Sequence, residues 1–126
     1  MMHKTPLGQV RGLGSAKSGT EHWWVQRMTA LAGIPLVVFL VVFIIAHVGA
    51  SRAEMVASLQ NPLVAIALAL TFITQLWHMR LGLQVVIEDY IHSPTSKFLA
   101  LLFNTAFTVI MGAAALYAIL KMSFGL

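Results

Sequence analysis

The chain has 126 residues, 59% of them hydrophobic and 10% charged, with a mean hydropathy of +0.84, which lies outside the range of water-soluble globular domains and excludes a soluble enzyme. A formal net charge of +4 does not mark a nucleic-acid binder, because the basic residues flank apolar stretches instead of forming a dense patch. The absence of cysteine rules out disulfides, thiolate catalysis and iron–sulfur ligation by this chain.

Residues 1–17 contain Pro6, Gly8, Gly12 and Gly14 without a helical period, and are read as an extended cytoplasmic arm on the membrane surface or on a partner. This segment has no apolar centre, so no cleavable signal peptide is expected. Its sparse arginine and its glycines also make a poor transit peptide, so the expected location is a bacterial inner membrane. The remainder, 18–126, is read as one membrane domain. Ser18 and Glu21 have capping-box spacing, and His22, Trp23 and Trp24 follow at the level where amphipathic rings favour the headgroups. A helix over about Gly19 to Val48 is expected, embedded from 28 to 48, bent at Pro35 and ended by Gly49.

Ser51 and Glu54 repeat the capping-box spacing, so a short surface helix is expected between Ala50 and Gln60. Asn61 and Pro62 then start a second span reaching Tyr90, and Ser93 and Pro94 start a third, over 95–121. No charged residue falls between Arg27 and Arg52, between Glu54 and Arg80, or between Lys97 and Lys121, and each gap holds the roughly 20 apolar residues a crossing needs. The fold class is therefore all-α, an integral membrane protein with three transmembrane helices. Lys4, Arg11, Lys17, Arg27, Arg80 and Lys97 on one side, against Arg52 and Lys121 on the other, put the N-terminus in the cytoplasm and the C-terminus in the periplasm.

Within the spans, His78 is the leading candidate for chemistry, because an imidazole in lipid is costly without a partner. Gly82, Val85 and Asp89 share its helical face, and a glycine one turn away would admit a flat macrocycle to the backbone. Haem iron with an axial histidine suits that surface; a plain hydrogen bond to a neighbouring helix suits it as well. His47 lies about 30 Å beyond Arg27 while His78 lies about 3 Å from Arg80, so the two imidazoles sit at different depths. A second haem ligand would come from another subunit, and His47 reads as an outer-interface residue. Arg27 could clamp a haem propionate or simply snorkel. Arg80 faces away from His78 and serves topology, and Trp77 and the methionines read as packing. Asp89 and Tyr90 end the second span about 17 Å inward from His78, where a phenol donor beside an acid could serve a quinone or could be ordinary interfacial residues.

The stretch His78-Met79-Arg80-Leu81-Gly82-Leu83-Gln84-Val85-Val86-Ile87-Glu88-Asp89-Tyr90 closely resembles the second helix of the succinate dehydrogenase hydrophobic membrane anchor family, with its H-x-x-x-G, Q-V and D-Y core. The segment from Gly12 to Ala30 is similar to the N-terminal region of α-proteobacterial members. The resemblance implies a four-subunit complex in which a flavoprotein subunit oxidises succinate, an iron–sulfur subunit carries electrons, and two anchors hold haem b and form the ubiquinone site. It implies that His78 is an axial ligand, with the other imidazole from the cytochrome b556 anchor subunit, that Arg27 approaches the propionates, and that Tyr90 hydrogen-bonds ubiquinone beside Asp89. Gln84 is one place off the family's glutamine and receives no role. The sequence therefore reads as a non-catalytic anchor with haem b and ubiquinone as cofactors. A small structural or assembly membrane protein, or a fumarate reductase anchor, is the alternative.

Overall fold

A computed structural model describes residues 6–10 and 19–126. Its helices are α1 (Pro6–Val10), α2 (Gly19–Ala46), α3 (Arg52–Leu59), α4 (Pro62–Tyr90) and α5 (Pro94–Ser123), and there is no strand among the described residues. Three of them, α2, α4 and α5, are long and apolar enough to cross a bilayer, as the charge-free gaps require.

The local signals for the helix starts act as their chemistry dictates. Ser51 and Glu54 form a reciprocal box at α3: the Glu54 amide donates to Ser51 Oγ at 3.3 Å, and the Ser51 amide donates to Glu54 Oε2 at 2.6 Å. Asn61 caps α4 by accepting the Leu63 amide at 3.0 Å, and Pro62 occupies the first turn, where its missing N–H costs nothing. Ser93 begins α5 with Pro94 behind it, without a side-chain cap bond. Ser18, the expected cap of the first span, lies outside the described residues.

Two expectations are corrected. The arm read as extended contains a helical turn, α1, which Pro6 opens with its preset φ; proline at a first helical position outweighed the nearby glycine. The first long helix stops at Ala46, before Val48, because the chain turns through His47 to Gly49, whose φ of +78° is the left-handed conformation glycine adopts without strain. Pro35 lies inside α2, which continues through it.

Glu54 illustrates how the cap depends on pH. The Ser51 backbone N–H, and then the Ser51 hydroxyl, hold its carboxyl below the ordinary value of 4.5. A depressed folded-state pKa stabilises above the unfolded value and is lost as pH falls through the folded one. We therefore expect α3 amides to lose hydrogen-exchange protection on acidification below about pH 4.5, and Ser51→Ala to cause the same loss at neutral pH, at a cost of about 1 kcal/mol to α3.

Helix α4 is the centre of the molecule: α2 packs on one side of it and α5 on the other, with α3 folded across the end where α4 begins. The buried apolar cluster lies at that end, with Leu59 of α3 against Ala65, Leu68 and Ile119, flanked by Phe39, Phe43 and Met122. Along α4 and α5 the buried side-chain donors find carbonyl partners, while Asn104 Oδ1 is left without a hydrogen-bond partner among the described residues. Thr71 Oγ1 donates to the Ala67 carbonyl at 2.7 Å, Thr108 Oγ1 to the Asn104 carbonyl at 2.8 Å, and Asn104 Nδ2 to the Arg80 carbonyl at 2.9 Å. Arg80 accordingly turns toward α5, reaching Thr105 Oγ1 at 3.4 Å, with its guanidinium over Trp77.

The other faces of α2 are open. Of its residues only Gly33 is buried, while Leu31, Ile34, Val38, Val42 and Ile45 are exposed. In water such a helix would be an aggregation hazard; in a bilayer its apolar faces meet lipid or another apolar subunit without penalty.

Candidate cofactor site

The contact between α2 and α4 is a ladder of three rungs, because the helices run antiparallel and each presents one face to the other. On α2 the residues are Gly33, Thr29 and Gln26, at helical spacing; on α4 they are Gln75, His78 and Gly82. At the outermost rung the Gln75 amide lies over the Gly33 backbone, 2.6 Å from where a Cβ would stand. On the innermost rung Gly82 faces the Gln26 side chain, whose Nε2 is 3.7 Å from the corresponding point. Between them His78 Nδ1 meets Thr29 Oγ1 at 3.0 Å.

The hydrogen bonds of Thr29 fix the state of that imidazole. Its hydroxyl has a single proton and lies 2.8 Å from the Val25 carbonyl and 3.1 Å from the Gln26 carbonyl, both of which only accept. With the proton directed at a carbonyl, the hydroxyl accepts from His78 Nδ1–H. In the tautomer that makes this bond the lone pair is on Nε2, the nitrogen that makes no hydrogen bond among the described residues.

His78 also lines a groove of about 420 Å³ with Thr29, Ala30, Gly33, Ile34, Val37, Val38 and Gln75. Its size and its mainly apolar wall with a few convergent polar groups are those of a ligand site. No group of three or more His, Asp or Glu that could hold a metal ion occurs among the described residues. The hydrogen bond between His78 and Thr29 joins α2 to α4 and occupies one ring nitrogen, leaving the other without a partner among the described residues.

The remaining sequence candidates are not in this groove. Arg27 is exposed, with its guanidinium 5.4 Å from the centre of the Trp23 ring, and is rotated about 200° around α2 from Thr29. Asp89 and Tyr90 are exposed in the last turn of α4, Tyr90 at 77%, beside the Glu88 carbonyl that accepts Lys97 Nζ at 3.0 Å. His47 has both ring nitrogens engaged, at 2.8 Å from the Phe43 carbonyl and 2.7 Å from Ser58 Oγ, in keeping with its separation from His78 in depth. Sequence reasoning missed Thr29 and Gln75. A signal for the first existed: Thr29 is the only hydroxyl-bearing residue between Thr20 and Ser51.

Gly33 keeps the groove open. Replacing it with leucine would force a branched side chain into the space held by the Gln75 amide and wedge α2 from α4. We expect the variant to lose thermal stability in detergent through the separation of α2 from α4, whereas Gly33→Ala, which has only to push aside the flexible end of Gln75, should keep it.

A family model described as succinate dehydrogenase/fumarate reductase transmembrane subunit matches residues 1–112. The chain belongs to this family. The succinate dehydrogenase hydrophobic membrane anchor subunit of Paracoccus denitrificans is 32% identical over 125 residues, covering 99% of this chain and 96% of that one. The subunit of the same description from Rickettsia bellii is 38% identical over 88 residues, 70% of each chain. The succinate dehydrogenase membrane anchor subunit of Reclinomonas americana is 30% identical over 88 residues, 68% of this chain and 73% of the relative. No solved structure matches the chain. Membership of this transmembrane family and three apolar spans make the chain a multi-pass protein of the bacterial inner membrane.

Proposed function

We propose that the chain is a membrane anchor subunit of succinate dehydrogenase that supplies His78 as one axial ligand of haem b, and Tyr90 with Asp89 to a ubiquinone site. The observation that carries this reading is the imidazole itself, in the lining of a groove between α2 and α4, with Nδ1 at 3.0 Å from Thr29 Oγ1 and Nε2 without a hydrogen-bond partner among the described residues. The second axial imidazole is assigned to the cytochrome b556 anchor subunit, which would cover the groove. Haem, when bound, supplies a one-electron carrier within the membrane.

The chain's own residues then have separable tasks. Thr29 orients the ring of His78. Gly33, one turn along α2 from Thr29, leaves the space that the Gln75 amide fills beside that contact. Arg27, with its guanidinium over Trp23 on the far side of α2 from the groove, has no part in holding a group there. Tyr90 donates its phenolic proton in a hydrogen bond to a quinone carbonyl, and Asp89 passes protons from the cytoplasmic water at the end of α4. Succinate oxidation and iron–sulfur transfer belong to the flavoprotein and iron–sulfur subunits, docked on the side where the positive residues place the N-terminus. Succinate oxidation is favoured over fumarate reduction because the relatives are named succinate dehydrogenase anchors.

Purification through an affinity tag on this chain, from native membranes in mild detergent, tests the reading. Co-purification of flavin, b-type haem and succinate:quinone reductase activity is expected. A colourless, partnerless chain would return it to the structural or assembly class.

A further inference from the structure

We infer that Thr29 is a positioning residue for the haem ligand: its hydroxyl accepts the Nδ1 proton of His78, fixing the ring tautomer and rotation and setting the electron-donating strength of Nε2. The inference rests on haem ligation by His78. It starts from a proton count. A histidine in a span could carry its hydrogen on either nitrogen, and only one tautomer leaves the lone pair on Nε2, the nitrogen that Thr29 does not hold. The contacts from Thr29 to two backbone carbonyls of its own helix direct the hydroxyl proton at a carbonyl and leave the oxygen lone pairs for the imidazole. The backbone of α2 thereby orients a side chain of α4 through one hydroxyl.

The chemical consequence follows from general behaviour of ligating imidazoles. A hydrogen bond from the remote N–H raises the basicity of the coordinating nitrogen, which favours the more highly charged metal and lowers the reduction potential. Removing such a partner from a metal-bound histidine typically weakens metal affinity by roughly 10- to 100-fold.

Thr29→Val retains the branched shape and removes the hydroxyl; Thr29→Ser retains the hydroxyl and removes the methyl. In the purified complex the valine variant should raise the haem midpoint potential, alter the electron paramagnetic resonance of the oxidised haem and release haem more readily, while the serine variant should match the parent. Where valine prevents assembly, alanine replaces it in the comparison with serine. Parental potential and resonance in the variant lacking the hydroxyl would overturn the inference, as would equal shifts in both variants, which would show that the effect does not follow the hydroxyl. A parent complex devoid of b-type haem would instead remove the reading on which the inference rests.

Discussion

Replacing His78 with leucine is expected to abolish b-type haem in the purified complex while leaving the three-helix fold in place. The separation is possible because of the hydrogen-bond arrangement around Thr29. When the imidazole is removed, the Thr29 hydroxyl still donates to the Val25 carbonyl at 2.8 Å, so no buried donor is orphaned. The fold loses one interhelical hydrogen bond, worth about 1 kcal/mol, and leucine restores apolar contact in its place. The proposed haem ligand is lost and His47 cannot stand in for it, since both of its nitrogens are engaged at the other end of α2. Haem absorbance per flavin should fall to background with the chain still present in membranes. A parental spectrum would take the ligand role from His78.

Replacing Tyr90 with phenylalanine should slow quinone reduction about tenfold and leave dye-linked succinate oxidation unchanged. The variant keeps the ring and removes a single donor, and the loss of one neutral hydrogen bond, at most about 1.5 kcal/mol, corresponds to that factor. The position suits the role: an exposed phenol in the last turn of α4, beside Asp89 and about 17 Å along the helix from His78. Stability should hardly change, because Tyr90 is 77% exposed and makes no side-chain hydrogen bond among the described residues. Equal losses in quinone and dye assays would place the defect in assembly or in electron delivery, and would contradict a quinone role.

The fold was legible where the determining forces are local. Runs without charge fix the spans, because lipid tolerates few unpaired charges. Ser51 with Glu54 and Asn61 with Pro62 fix helix starts, because their side chains satisfy or dispense with free backbone donors. His78 stands out in the sequence for the same reason, as a polar ring in an apolar helix. The partner of its ring was not legible. Whether α2 turns Thr29 or Arg27 toward α4 depends on the rotation of one helix against another, and that rotation is set by pairwise fits such as the Gln75 amide over Gly33. Spacing identifies a face but not what it meets. Gly82 shows this well: sequence places it on the histidine face, where it reads as room for a macrocycle, and the structure sets it opposite Gln26 of the adjoining helix. The helical turn at Pro6 was obscured by the glycines around it.

The most direct test of His78 as an axial ligand is the optical difference spectrum of the purified complex, recorded with and without succinate for the parent and for the leucine variant in parallel. The parent should show a b-type haem with two imidazole ligands and the variant none, at equal flavin and equal amounts of this chain. A variant that retains the parental haem bands, or a parent that has none, would contradict haem ligation by this helix.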